Sequence, residues 1–436
     1  MKNSFSLLVS LFLILQFSSA QNLYFPPNSG NTWTTLDPSE LNWCTDKLED
    51  LYQFLDEKNS KAFIILKDGK IVVERYFDSF TKDSLWYYAS SGKSITSVLV
   101  GIAKQENLLA LDDKTSKYLG AGWTSAPPEK EDLITIRHQL SMTSGLDENE
   151  EDLNGTTFCL DPSCLKYKAD AGTRWAYHNA PYLLLQNVLE AASGQSYNLF
   201  YYSRLANKIG MSGLWVSGHL YGKPRDAARF GLFALANGNW NGQQILSDAE
   251  YLHDMKESSQ QLNKSYGYLW WLNGKESFMI PVLRNVFNGS MMPDGPADMY
   301  AALGKNDQKI YVVPGENMVV VRMGDSARES AAAITVFDNE LWQKINDLEC
   351  ASATESIEKE LVVNIFPNPA GEKINIETGE KFKTATVFSL DGEVILKKEF
   401  LETGINELDI SALRSGAYWL LLSDENGRQI RQFVKK

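Results

Sequence analysis

Four Ser-x-x-Lys spacings occur in this 436-residue sequence: Ser79…Lys82, Ser90…Lys93, Ser163…Lys166 and Ser356…Lys359. On a helix this spacing sets both side chains on one face, about one turn apart. A lysine kept neutral by burial or by nearby positive charge can then take the hydroxyl proton, which makes the serine a nucleophile. Context separates the four. Ser356 falls in a polar, small-residue stretch, Ser163 lies between two cysteines, and Ser79 sits in a polar connection. Only Ser90…Lys93 opens a strongly helical segment, SGKSITSVLVGIAKQENL, behind the aromatic run Trp86-Tyr87-Tyr88. There the serine gains from the positive end of the helix dipole and from free backbone N–H groups. Tyr177-His178-Asn179 adds a second element, ahead of the apolar helix APYLLLQNVLEAASG. A tyrosine hydroxyl relays protons when cations lower its pKa, and an Asn amide can bind a substrate carbonyl. His178 is expected to point away. Gly-x-Ser-x-Gly is absent, which argues against the nucleophile elbow of α/β-hydrolases.

These residues need elements to position them. Residues 41–58 repeat apolar positions at helical spacing. AFIILKDGKIVVERYF reads as a hairpin turning at Asp68-Gly69, and KIYVVPGENMVVVRMG (309–323) as another turning at Pro314-Gly315. Helices are expected at 92–106, 180–194 and 224–237, with a closing helix at 337–349. Strands at both ends around central helices make an α+β pattern rather than a parallel doubly wound sheet. After Cys350 the texture changes. ASATESIEKE reads as a linker, and the runs VVNIF, KINIE, TATVFSL, EVILKKEF, AYWLLLS and RQIRQFV alternate as strands of a small β-sandwich.

Composition bounds the partners. Asp plus Glu (55) exceeds Lys plus Arg (42), for a net charge of −13. That acidity argues against nucleic-acid binding and against an electrostatic membrane anchor. Lys2, the apolar run Phe5–Phe17 and Ser18-Ser19-Ala20 describe a signal peptide over 1–20, too short to span a bilayer. No other segment reads as a membrane span. Export makes disulfides available to the four cysteines, which allow three pairings. Cys159 with Cys164 closes a small turn, which leaves Cys44 with Cys350. The histidines form no ligand pair and no Cys-x-x-Cys occurs, so no metal and no cofactor is expected.

With Ser90…Lys93 and Tyr177-x-Asn179 in place, further stretches agree in order: ITIRHQLSMTSGLD (134–147), GKPRDAARFGLFALANGNWNGQQILS (222–247), SYGYLWW (265–271) and YAALGKNDQKIYVVPGENMVVVRMGD (300–325). Together they resemble serine hydrolases of the β-lactamase and penicillin-binding-protein superfamily, especially its class C, esterase and aminohexanoate-oligomer hydrolase branches. The resemblance implies an antiparallel sheet flanked by terminal helices, a helical subdomain beside it, and a site between them. A Cys44–Cys350 bridge fits, because the terminal helices pack together in that fold. It implies Ser90 as nucleophile, Lys93 as its base, Tyr177 as proton relay and Asn179 as a substrate contact. The third motif of the superfamily falls on Lys305-Asn306-Asp307, a departure from Lys-Thr-Gly or His-x-Gly. Lys305 is expected to depress the Tyr177 pKa or bind a substrate carboxylate. The N–H groups of Ser90 and Gln308 are expected to form the oxyanion hole, with the Asp307 carboxylate close enough to disfavour β-lactams. The acidic insert Asp147–Asp152 and Trp175, Trp270 and Trp271 are candidates for the cleft lining.

The C-terminal stretches NIFPNPAGEKINI, VFSLDGEVI and INELDISALRSGAYWLLLSDENGRQIRQFVK resemble the sorting domain of the bacterial type IX secretion system. The expected organisation is a signal peptide (1–20), a β-lactamase-like hydrolase domain (21–352), a linker (353–360) and a sorting domain (361–436). The expected activity is an exported serine hydrolase cleaving an ester or amide, with a small-molecule ester, amide or peptide as substrate and the secretion machinery as partner. The alternatives are a cell-wall D-amino-acid peptidase or β-lactamase, and an inactive binding homologue. The sequence leaves the oligomeric state open.

Overall fold

A computed structural model describes residues 23–149, 158–281, 284–327, 336–350, 363–379, 381–389, 394–423 and 428–436. The expected signal peptide and the 353–360 linker lie outside the described residues. The chain divides into two compact units, one up to Cys350 and one from Ala351.

The first unit is built on a six-stranded antiparallel sheet. Helix α1 (Thr45–Glu57) precedes β1 (Ser60–Lys67) and β2 (Lys70–Tyr76). Their hairpin turns at Asp68 and Gly69, whose φ angles of 50° and 79° are those a two-residue turn requires. Short strands β3 (Trp86–Tyr87), β4 (Leu214–Val216) and β5 (His219–Gly222) form a separate sheet, order β3-β5-β4. The sequence gives little warning of it, because each strand is only two to four residues long. The main sheet continues with β6 (Trp271–Leu272), β7 (Tyr300–Gly304), β8 (Gln308–Val313) and β9 (Met318–Gly324), in the order β2-β1-β9-β8-β7-β6.

Both faces of this sheet are covered, which is why β8 and β9 are buried along their whole length instead of alternating. Ile310 and Val319 meet α4 (Pro224–Leu235) at Gly231 on one face. Alternation sends Tyr311 to the other face, where it meets Trp342 of α5 (Val336–Asn346) at 5.5 Å between ring centroids. Helix α1 shares that second layer: Phe54 stacks on Phe337, and Leu48, Leu51 and Leu55 form its buried stripe. Burying a leucine fully contributes about 1.5–3 kcal/mol, so this stripe alone anchors the helix. The ends of α1 and α5 are joined by Cys44–Cys350 (Cα–Cα 5.1 Å), and the Cys44 N–H donates to Leu348 O (2.7 Å). Cys159 pairs with Cys164. Helices α2 (Gly92–Gln105) and α3 (Asn179–Ser193) pack together in the helical part of the unit.

The described residues of the second unit form seven strands: β10 (Val363–Phe366), β11 (Lys373–Thr378), β12 (Phe382–Phe388), β13 (Val394–Leu401), β14 (Gly404–Asp409), β15 (Gly416–Ser423) and β16 (Arg428–Lys435). They form sheets of order β10-β11-β14 and β13-β12-β15-β16, whose apolar residues share one core around Ile374, Ile376, Val387, Leu420 and Phe433. The sequence marks six of the seven strands. It misses β14 because GINELD buries only Leu408 of its own residues. Such a polar edge strand carries no alternating signal. No helix among the described residues is long and apolar enough to cross a membrane.

Candidate active site

Ser90 sits in a tight turn, Ala89–Ser91, that runs straight into α2. Ala89 holds a φ of 47°, a left-handed conformation that a Cβ-bearing residue enters only at a cost. The turn is fixed from behind: the Ser91 hydroxyl donates to Tyr88 O (2.7 Å), and the Tyr88 N–H donates to Leu220 O (2.9 Å) of β5.

At the start of α2, Lys93 places its Nζ 3.0 Å from the Ser90 Oγ. The Nζ also donates to the Asn179 Oδ1 at 2.9 Å. It lies over two aromatic faces, Tyr182 at 4.2 Å and Tyr177 at 5.1 Å from the ring centroids. Lys93 is only 4% exposed, and burial pulls its pKa down to about 7. Each cation–π contact favours the ammonium by about 0.5–2 kcal/mol and so opposes the desolvation. The other three Ser-x-x-Lys pairs are not brought into this arrangement. Among the described residues Ser79, Lys82 and Ser163 lie on surface turns outside it, and Ser356…Lys359 lies outside the described residues.

Tyr177 and Asn179 precede and open α3, so backbone continuity delivers both to Lys93. Burial raises the Tyr177 pKa, and hydrogen bonding with Ser90 offsets it only in part. The expectation of a tyrosine depressed by cations is thus corrected: Tyr177 is a neutral phenol. Its ring stacks on Trp271 at 5.8 Å, and Trp175 closes on the same cluster edge-on. Trp270 instead stacks on Phe230 in the core, so it does not line the cleft. Asn179, half-buried, accepts from the Lys93 Nζ through its Oδ1. His178 points away as expected; it is buried, and desolvation lowers its pKa to about 4. Of the acidic insert, Asp147 pairs with Lys168 (2.8 Å) and Glu148 with Arg174, while Glu150–Asp152 lie outside the described residues. Sequence reasoning missed Tyr182, although its position one turn after Asn179 on the same helix face was a usable signal.

The second wall is the end of β7. Gly304 approaches the nucleophile turn so closely that a Cβ there would lie 2.6 Å from Tyr88 O and 3.0 Å from the Ser91 N. Only glycine fits. Strand alternation then decides which N–H groups are available. Met299 O accepts from Asn273 N (2.9 Å) on the β6 side, so residues 301, 303 and 305 point to that open side. Gly304, extended at φ −130° and ψ 156°, points the other way and pairs with Gln308 across the β7–β8 hairpin. The Gln308 N–H therefore lies inside the sheet and not at Ser90, contrary to the sequence expectation. Alternation turns the Lys305 N–H the other way, away from β8.

The Asp307 carboxylate is also turned inward. It accepts the Ala327 N–H (3.0 Å) and lies 3.2 Å from the Lys309 Nζ, which in turn meets Asp338 of α5 at 2.8 Å. It does not stand at the mouth of the site, so the sequence argument against β-lactams falls away. The Lys305 side chain is exposed, and it is not among the causes of the Tyr177 shift. No group of three or more His, Cys, Asp or Glu side chains among the described residues could hold a metal ion.

A buried lysine hydrogen-bonded to a serine, with a tyrosine beside it, is an arrangement able to activate the hydroxyl as a nucleophile. Residues 53–335 match the β-lactamase family, and the chain belongs to it. Residues 364–436 match the secretion system C-terminal sorting domain. An uncharacterised protein of Alkalihalophilus pseudofirmus is 26% identical over 315 residues, covering 63% of this chain and 86% of that protein. Among solved structures, a putative 6-aminohexanoate-dimer hydrolase from Bacillus anthracis superposes with a TM-score of 0.56 at 19% identity. It covers 75% of this chain and 91% of its own. EstCE1, a hydrolase with promiscuous acyltransferase activity, superposes at 0.53 with 14% identity, covering 70% of this chain and 98% of its own. These structures share the fold.

Proposed function

We propose that this protein is an exported serine hydrolase that cleaves an ester or amide through an acyl-enzyme on Ser90. The observation that carries the reading is the 3.0 Å approach to the Ser90 Oγ of a buried Lys93, whose pKa burial pulls down to about 7. The neutral amine takes the Ser90 proton as Oγ bonds to the substrate carbonyl carbon. The carbonyl electrons move to oxygen, and the N–H groups of Ser90 and Lys305 stabilise that oxyanion. Tyr177, uncharged and hydrogen-bonded to Ser90, passes the proton from Lys93 to the leaving amine or alcohol as the tetrahedral centre collapses. Water then enters by the reverse route and releases the acid, which restores Ser90. Asn179 holds the Lys93 Nζ in line for both halves.

The similarity to a putative aminohexanoate-dimer hydrolase and to EstCE1 supports amide and ester substrates, and the sorting domain supports delivery to the cell surface or exterior. On this reading Met1–Ala20 is a signal peptide and the C-terminal unit engages the secretion machinery. A fluorophosphonate probe is expected to label the wild-type protein and to leave Ser90→Ala unlabelled. Labelling that survives the substitution would remove Ser90 from the role. Nitrocefin, p-nitrophenyl esters and a D-Ala-D-Ala peptide assayed side by side would assign the acyl class.

A further inference from the structure

The turn after β7 is conformationally demanding. Asn306 and Asp307 hold successive φ angles of 60° and 58°, the left-handed region that side chains with a Cβ avoid. Two glycines would accept this shape freely, but the sequence supplies none here. Asn and Asp are among the residues that tolerate it best, yet tolerance alone does not fix one conformation.

Two buried side chains do fix it. Gln308 is 1% exposed, and its Nε2 donates to the carbonyl oxygens of Lys305 (3.3 Å), Asn306 (2.7 Å) and Gly324 (2.6 Å). Its Oε1 accepts the Gly324 N–H (3.2 Å), so the amide is bonded at both ends. Arg322, fully buried on β9, reaches the same turn from the neighbouring strand. Its Nη1 donates to the carbonyls of Asn306 (3.0 Å) and Asp307 (3.1 Å). Its Nη2 donates to Lys58 O (2.7 Å) and Asp325 O (2.9 Å), and its Nε to the Ser60 Oγ (3.0 Å). Every carbonyl of the turn is therefore held by a side chain that cannot move without breaking several other bonds.

We infer that Gln308 and Arg322 are positioning residues. They set the turn so that the Lys305 N–H stands against Ser90, a task that glycines would otherwise leave to backbone freedom. The inference rests on the proposed acyl-enzyme at Ser90. An oxyanion donor works only near 2.7–3.1 Å from the developing charge, and losing one lowers turnover about 10²–10³-fold. A turn released to sample other shapes forfeits part of that without losing the substrate.

The test uses the full chain with Gln308→Met, which keeps the length and removes the donors, and Arg322→Lys, which keeps the charge and removes the fork. Turnover of p-nitrophenyl butyrate is normalised to sites titrated with fluorophosphonate, and phenylboronic acid reports oxyanion binding. The expected result is a fall in kcat of at least about tenfold with KM within about threefold of wild type. The boronate inhibition constant should rise by the factor by which kcat/KM falls. An effect confined to melting temperature or to the fraction of titratable sites, with kcat per site within twofold of wild type, would overturn the inference. Should Gln308→Met not fold, Arg322→Lys is judged by the same criteria. Loss of the serine reading shows separately, as probe labelling that persists in Ser90→Ala.

Discussion

The two walls of the site are built by different means. On the helical wall, Ser90 lies in the turn that leads into α2, Lys93 follows in the first turn of α2, and Asn179 and Tyr182 are one turn apart on α3. Their relative positions follow from helix geometry within a few residues of sequence. On the strand wall, the proposed group is a main-chain N–H. Its direction depends on how β7 pairs with β6 and β8, and on Gln308 and Arg322 holding a left-handed turn. The first wall tolerates changes elsewhere in the protein; the second is only as good as a buried hydrogen-bond network. A side chain in this site is thus held by local spacing, whereas a backbone group has to be held from a distance.

Substitutions on the two walls are expected to differ in the size of their effect. The largest effect is expected on the helical wall: Ser90→Ala should lower kcat/KM about 10⁴-fold or more, measured with a p-nitrophenyl ester. Lys93→Met should cost about 10²–10⁴-fold, the range for a general base. It should also stabilise the fold near neutral pH. The folded-state pKa of about 7 lies below the ordinary lysine value of 10.5, so the unfolded chain holds the proton more tightly between them. The resulting penalty is full below pH about 7 and fades as pH rises toward 10.5. Lys93→Met should therefore melt higher than wild type at pH 7, with the gap closing by pH 10.5 in a thermal scan. A constant gap would contradict the neutral-lysine assignment.

On the strand wall, Lys305→Pro removes the N–H while Lys305→Ala keeps it. Gly304 already has the extended backbone that a following proline requires. Lys305→Pro should cost about 10²–10³-fold in kcat. The acid limb of the wild-type pH–rate profile comes next. Activity should fall about tenfold per unit below a pKa of about 7, because the Lys93 ammonium cannot accept the Ser90 proton. Lys305→Ala is the smallest: kcat within about threefold, since the side chain is exposed and the backbone does the work. Equal losses for alanine and proline would move the role from the main chain to the lysine ammonium.

How much of this was legible in the sequence follows the same division. The hairpins at Asp68-Gly69 and Pro314-Gly315, the terminal helices, Ser90…Lys93 and Tyr177-x-Asn179 are all written in neighbouring residues. The expected oxyanion N–H of Gln308 faces into the sheet because the side a strand N–H faces is decided by pairing with the distant Asn273. The direction of the Asp307 carboxylate was equally hidden, since Lys309 and the distant Asp338 set it. Tyr177 was expected to be depressed by cations. Its rise comes from burial against Trp271 and its neighbours, a packing fact with no local signal. In the C-terminal unit, β14 escaped notice for a related reason: its polar edge is defined by the sheet it joins.

The central claim is that acyl transfer passes through Ser90. Rapid mixing of the wild-type protein with p-nitrophenyl butyrate, acid quenching and peptide mapping by mass spectrometry tests it directly. The account predicts a butyryl group on Ser90, formed in step with the first equivalent of p-nitrophenol. A butyryl group on any other residue, formed at that rate, would contradict it.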